Sequence, residues 1–164
     1  MKRTAPKDEH YILDIVDEVC GIKGSRQHRF DFLRGDTGSP LPVDAFYADR
    51  MLAVEYHERQ HTESVPHMDK RMTVSGVTRG EQRRKYDQRR REVLSAHGIR
   101  LVVLDYSLFA CNSHKRLRRA DRAADMAVIQ KALATAPVNV STAPPELNAM
   151  ETAAEGRSTT TDYR

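Results

Sequence analysis

The chain has 164 residues, a length typical of one domain, and 39% of them are hydrophobic and 30% charged. No apolar run approaches the roughly 18 residues that cross a bilayer, and the N-terminal MKRTAPKDEH lacks the apolar stretch of a secretory signal. The formal net charge of +4 gives a weak preference for an anionic partner. The two cysteines, Cys20 and Cys111, are too few for a disulfide framework and indicate a reducing, cytoplasmic setting.

In chain order, the pattern of apolar residues predicts the elements α-β-β-β-α-β-α, a mixed sheet flanked by helices and therefore an α/β or α+β domain. The first helix carries apolar residues at helical spacing from Tyr11 to Val19 and ends at Gly21 or Gly24. Alternating and apolar runs then predict three short strands, at 28–33, 41–47 and 51–56.

The second half begins with a helix from about Gly80 to His97, which Gly98 ends. Its apolar stripe consists of Tyr86, Val93 and Leu94, with Arg90 and His97 on the same face. The most hydrophobic segment, 99–104, is the expected central strand of the sheet. A last helix, from Arg116 to Leu133, is predicted to turn Leu117, Ala120, Ala124, Val128 and Leu133 inward. The folded domain is expected to span 1–136, and the tail 137–164, rich in Pro, Ser and Thr, is expected to be disordered.

Acidic and imidazole residues interrupt the second and third predicted strands. Asp44 lies within an otherwise apolar strand, and Glu55 lies at the end of the next one. If the strands form a hairpin around 49–50, these two acids lie close together, and alternation places Glu55 and His57 on one face. Two adjacent carboxylates need a cation to offset their repulsion, and with one imidazole they suit Mg²⁺ or Mn²⁺. The alternative is that Asp44 pairs with an arginine and Glu55 only ends a strand.

The segment from His57 to His61 also matches HExxH, in which two histidines one helical turn apart bind zinc and the glutamate acts as a base. Glu81 lies far enough downstream to be a third ligand. The motif requires a helix, whereas the residues before it predict a strand and Pro66 follows closely. A zinc peptidase is therefore a separate alternative.

Four short motifs, taken in order, resemble the PD-(D/E)XK or restriction-endonuclease-like nucleases, especially their very-short-patch-repair-like branch. The first two motifs are matched by Val43-Asp44 and by Val54-Glu55 with Gln60-His61. The helix motif of that branch is matched by Asp87, Arg90, Leu94 and Gly98, followed by the apolar strand at 99–104. The resemblance covers about Tyr11 to Tyr106, and the family core, α-β-β-β-α-β, agrees with the predicted order.

The resemblance implies a DNA endonuclease of repair or defence type that hydrolyses phosphodiester bonds with Mg²⁺ or Mn²⁺. It implies that Asp44 and Glu55 hold the metal and that Glu18, on the first helix, is an outer carboxylate. His57 stands where many members have aspartate or the motif's lysine. In the family that lysine orients or activates the attacking water, and here His57, Gln60 or His61 would take this role.

The cations are concentrated in two runs. Between Arg79 and Arg91 there are seven cations against two acids, and a second run covers 115–122. With the resemblance, the first run predicts a helix that binds the DNA backbone. Its expected contacts are Arg79, Arg83, Arg84, Lys85 and Arg90. A solvated helix face is the alternative for both runs. Because the lysine is missing, a non-catalytic nucleic-acid-binding protein of the same fold is a further alternative, and a homodimer is compatible with the resemblance.

Overall fold

A computed structural model describes residues 7–59 and 71–135 of the chain. The described residues form a mixed α/β fold with the predicted element order. In chain order the elements are α1 (Asp8–Cys20), β1 (Ser25–Arg34), β2 (Pro40–Tyr47), β3 (Leu52–His57), α2 (Arg79–Ala96), β4 (Arg100–Asp105) and α3 (Arg122–Thr135). Single 3-10 turns follow β2 and β4, at Ala48–Arg50 and Tyr106–Leu108. The end of the predicted domain at 136 and the tail 137–164 lie outside the described residues.

The four strands form one sheet in the order β1-β2-β3-β4. The pairs β1–β2 and β2–β3 are antiparallel, whereas β3 and β4 are parallel and are joined through α2. Strand β4 therefore lies at an edge of the described sheet, and the prediction that it is the central strand is wrong. Its apolar sequence has another cause, since Val102 and Leu104 pack on one face and Ile99 and Leu101 on the other. A strand covered on both faces is apolar throughout, whatever its position in the sheet.

Two hydrophobic clusters cover the two faces of this sheet. Helices α1 and α3 pack on one face, where Ile12, Val16 and Ile129 are fully buried. Helix α2 packs on the other face, with Leu94 fully buried and Tyr86 half-buried, as its apolar stripe predicts. No helix among residues 7–59 and 71–135 is long and apolar enough to cross a membrane.

At Asp44, the regular alternation of side chains along strand β2 is interrupted. Val43 packs in the cluster beneath α2, whereas Ala45, two residues later, packs in the cluster beneath α1. Residues two apart in a regular strand share a face, so the alternation is broken between them. In β1, the residue opposite Asp44 is Gln27, whose φ of 48° lies in the left-handed region. The break therefore runs across both strands, and it sets the position of the Asp44 side chain.

The last helix begins six residues later than predicted, at Arg122 rather than Arg116. Residues 116–121 form a loop in which Arg119 has a φ of 48°, a value that an α-helix does not allow. Leu117 is buried from this loop, and in α3 itself Asp125 and Ile129 are the buried residues. Of the other predicted inward residues, Ala120 and Ala124 are exposed, and Val128 and Leu133 are half-buried.

Candidate metal centre

Glu55 is a buried carboxylate near the end of β3. Its relative exposure is 6%, and it is on the face of the sheet that α2 covers. Oε1 of Glu55 is 2.7 Å from Nε of Arg90, and Oε2 is 3.3 Å from Nε2 of His57. Because a buried carboxylate is costly without partners, these two contacts stabilise Glu55 in this position.

Helix α2 brings two charged side chains to Glu55. Arg90 lies one helical turn from Asp87, and its Nη1 is 3.1 Å from Oδ1 of that residue. Its Nε also donates to the backbone carbonyl of Pro42 at 3.2 Å. The sequence predicted that Arg90 binds a phosphate backbone, but in the structure its guanidinium contacts two carboxylates. The cause is the helical repeat, because Arg90 lies four residues from Leu94 and so faces the sheet.

Three of these side chains can together hold a metal ion. One ligand atom from each of Glu55, His57 and Asp87 lies within 4.8 Å of the others. Two carboxylates and one imidazole suit several divalent ions, including Mg²⁺, Mn²⁺ and Zn²⁺. Glu55 and His57 share a face, as strand alternation predicts, but Asp87 was not predicted as a ligand. The signal that could have identified it is its place in the D-x-x-R motif, three residues before Arg90.

The pKa of His57 is raised, chiefly by its hydrogen bond to Glu55 and against the opposing effect of burial. The negative charge of Glu55 adds to this rise, and so does that of Asp87. The contact with Glu55 thus makes the imidazole of His57 more basic than that of an isolated histidine.

Asp44 lies near this group but is not among its ligands. Its Oδ2 accepts a hydrogen bond from the backbone N–H of Tyr56 at 2.9 Å, and its Oδ1 accepts one from Gln27 at 3.2 Å. Burial raises the pKa of Asp44 to about 6, and the negative charges of Glu55 and Glu9 contribute to the rise. Asp44 and Glu55 are therefore close enough for the charge of Glu55 to raise the pKa of Asp44. The break in alternation keeps the Asp44 carboxylate out of the group formed by Glu55.

The acid of α1 that lies near Asp44 is Glu9 and not the predicted Glu18. Gln27 donates from one amide nitrogen to both Asp44 and Glu9, the latter at 3.1 Å. Glu18 instead forms an ion pair of 2.7 Å with Arg122 of α3. Nine residues of α-helix separate the two glutamates by roughly 13 Å along the axis, so they cannot serve the same site.

The described residues do not support the HExxH geometry. His57 is the last residue of β3, whereas the motif needs its first histidine on a helix. Glu81 is engaged in a capping box at the start of α2, in which it and Thr78 bond to each other's backbone N–H. This contact lowers the pKa of Glu81. Gln60 and His61 lie outside the described residues.

The two cationic runs have different surroundings. On α2, the side chains of Arg79, Arg84 and Lys85 are exposed, and that of Arg83 is half-buried. In the second run, Arg119 pairs with Asp8 and Arg122 with Glu18, so these cations join the loop and α3 to α1. Lys115, Arg116 and Arg118 of the second run are exposed as well, so exposure alone does not choose between the two runs. Comparisons with protein-family models, curated proteins and solved structures found no match to this chain.

Proposed function

We propose that this protein is a metal-dependent endonuclease that hydrolyses phosphodiester bonds of DNA, with a core of the restriction-endonuclease-like kind. The observation that carries the proposal is the convergence of Glu55, His57 and Asp87 beside the helix with the exposed cations. Supporting it, Asp44 lies close enough for the charge of Glu55 to raise its pKa. The pKa values of Asp44 and His57 are both perturbed, and such perturbation is typical of a functional site.

The residues of the centre fit a divalent ion, because Glu55 and Asp87 supply two oxygen ligands and His57 one nitrogen ligand. When bound, such an ion polarises a phosphoryl oxygen and lowers the pKa of a coordinated water. In the proposed site Glu55, Asp87 and His57 hold the ion. Asp44 contributes negative charge from the adjacent strand. If Glu55 and Asp87 alone hold the ion, a neutral His57 can instead accept a proton.

The exposed cations of α2 give the proposed DNA contact. Arg79, Arg84 and Lys85 extend from the first half of the helix, and Asp87 lies on the next part. Cations clustered on one helix bind a phosphate backbone with little dependence on base sequence. These side chains would position the DNA backbone on α2, next to the acids beside which the scissile phosphate would lie.

The test is the nicking of supercoiled plasmid with Mg²⁺ or Mn²⁺. We expect the wild type to nick and Glu55→Gln to lose at least about 100-fold in rate, since the variant loses a charged ligand. Glu92→Gln is the control, because Glu92 is an exposed acid of α2 and its substitution should leave the rate unchanged. If the wild type nicks neither double-stranded nor single-stranded DNA with either metal, the proposal is wrong.

One observation favours a second candidate, a DNA-binding protein of the same fold without catalysis. Both oxygens of Glu55 already have partners within the protein, Arg90 and His57. A carboxylate satisfied in this way can be structural. DNA binding that depends on Lys85 and Arg84, without nicking under any of the conditions above, would support this candidate over the first.

A further inference from the structure

Arg90 occupies the position beside the carboxylates where a metal ion has to bind. Its Nε is 2.7 Å from Oε1 of Glu55, and its Nη1 is 3.1 Å from Oδ1 of Asp87. The second oxygen of Glu55 contacts His57 at 3.3 Å. The acids of the candidate metal centre are thus already engaged by a cation from the protein itself.

The negative charge of this group is already offset by a cation of the protein. Arg90 places one guanidinium against both Glu55 and Asp87. These side chains are largely shielded from solvent, since the side chain of Glu55 is 8% exposed and that of Arg90 is 15% exposed. A divalent ion added to this set would face a guanidinium at close range in a medium that screens charge poorly. Without Arg90 between them, the same two carboxylates present the negative charge that a divalent ion requires.

Arg90 also has the means to bind a phosphate. Among residues 7–59 and 71–135, its Nη2 forms no hydrogen bond, and the side chain is near enough to the surface to be partly exposed. A guanidinium binds phosphate oxygens through two parallel hydrogen bonds. Arg83, two turns earlier on α2, lies on the same side of the helix as Arg90. A phosphate held at this part of α2 can therefore compete with Glu55 and Asp87 for Arg90.

We propose that a phosphodiester draws Arg90 away from Glu55 and Asp87, and that a divalent ion binds these carboxylates and His57 only after Arg90 has moved. The inference rests on the proposed function in taking a phosphodiester as the ligand. It adds that Arg90 regulates the centre, because the acids become available to the metal only when a phosphate is present. The binding of the two ligands is then positively coupled, and each raises the affinity for the other.

The test measures Mn²⁺ binding to the full chain from the electron paramagnetic resonance signal of free Mn²⁺. We expect Arg90→Gln to bind Mn²⁺ about tenfold more tightly than the wild type, since a neutral side chain no longer competes. Arg91→Gln, which removes an exposed cation from the next position of the helix, should leave the affinity unchanged. Millimolar dimethyl phosphate should tighten Mn²⁺ binding to the wild type at least about fivefold and have no such effect on Arg90→Gln.

The proposal is overturned if Arg90→Gln and the wild type bind Mn²⁺ equally, or if dimethyl phosphate affects both to the same extent. Loss of Arg90 can also unfold the protein, because it leaves two buried acids facing each other. In that case, folding of Arg90→Gln on addition of Mn²⁺, followed by circular dichroism, supports the proposal. If Arg90→Gln stays unfolded with Mn²⁺, the same Mn²⁺ titration is made on Arg90→Lys. The lysine ammonium group cannot contact both carboxylates as the guanidinium does, so it competes less with the metal. Tighter Mn²⁺ binding by Arg90→Lys supports the proposal, and unchanged binding overturns it.

These measurements are independent of nicking. If coupled Mn²⁺ and dimethyl phosphate binding is found in a protein that does not nick DNA, the endonuclease fails and the role of Arg90 stands. If the wild type nicks DNA but Mn²⁺ binding does not respond to Arg90, the endonuclease stands and the role of Arg90 fails.

Discussion

At the residue scale, Asp44 takes over a hydrogen bond that a backbone carbonyl makes in a regular sheet. The β2–β3 pairing extends from Tyr47 and Leu52 to Ala45 and Val54. Beyond that pair, the side chain of Asp44 accepts the N–H of Tyr56. A carboxylate can replace the backbone carbonyl as acceptor only where the strand departs from regular alternation. The break at Asp44 therefore ends the backbone pairing of β2 with β3 and supplies the acceptor for the N–H of Tyr56.

This position makes the stability of the protein depend on pH. The pKa of Asp44 in the folded state, about 6, lies above its ordinary value of 3.8. The folded state therefore binds more protons than the unfolded state between about pH 4 and 6, so stability falls as the pH rises through this window. We expect Asp44→Asn to raise the free energy of unfolding by about 1–2 kcal/mol at pH 8, after allowing for partial exposure.

The gain from Asp44→Asn should shrink at pH 4.5, where the wild-type carboxyl group is protonated in the folded state. Urea denaturation in the presence of a chelator measures it, so that no metal contributes. Asp31→Asn is the control, because Asp31 is a fully exposed acid on β1. A gain that is the same at both pH values would show that ionisation of Asp44 is not the cause.

At the element scale, α1 and α3 are joined by a polar contact that apolar periodicity does not reveal. Asp125 is 5% exposed, and its Oδ2 accepts a hydrogen bond from the hydroxyl of Tyr11 at 2.8 Å. Burial and the contact with Asp125 raise the pKa of Tyr11. A buried carboxylate of this kind depends on its donor, and the donor belongs to a helix more than a hundred residues away in the chain.

We expect Tyr11→Phe to lower the free energy of unfolding by about 1–3 kcal/mol, because it leaves the Asp125 carboxylate without that donor. Asp125→Asn keeps an oxygen acceptor for Tyr11 and removes the buried charge, so it should cost less than Tyr11→Phe. Chemical denaturation at pH 7 compares the three proteins. Equal stability of Tyr11→Phe and the wild type would show that the contact does not hold the two helices together.

Helix α2 shows how far sequence patterns predict an element. Its apolar stripe predicts that Tyr86 and Leu94 face the sheet, and the structure confirms this. The same stripe places Arg90 towards the sheet, yet the interpretation as a phosphate contact followed from its charge. What Arg90 contacts depends on Glu55 of β3, and no spacing within the helix contains that information.

At the scale of the whole molecule, the proposed DNA contact has a measurable dependence on salt. The exposed cations of α2 are available to phosphates, whereas Arg122 is paired with Glu18 on the other side of the sheet. We expect the combined variant Arg84→Gln, Lys85→Gln to weaken DNA binding and to reduce the slope of log K against log salt by about 1–2.

Fluorescence anisotropy of a labelled duplex at several salt concentrations measures this slope. Arg122→Gln is the matched control, because it removes one cation without removing one that faces the DNA. If Arg122→Gln and the α2 variant reduce the slope alike, binding is a general effect of net charge, and α2 is not the contact.

The sequence by itself determined the order of the elements, the approximate bounds of three strands and the buried face of α2. These features follow from local periodicity and from turn residues such as Gly21, which acts as the left-handed cap of α1. The start of α3 was not predicted correctly. Its apolar spacing indicates a helix from Arg116, but Arg119 has a left-handed backbone conformation and the helix begins only at Arg122.

Only the tertiary structure decided which acids meet. The break at Asp44 separates it from the ligand group of Glu55, and the pairing of β1 with α1 through Gln27 brings Glu9 and not Glu18 to Asp44. Asp87 enters the group because α2 lies on the face of the sheet to which Glu55 points. Each of these outcomes depends on the register of strands and the rotation of a helix relative to the sheet. Contacts between residues distant in the chain set both, and no local pattern in the sequence encodes them.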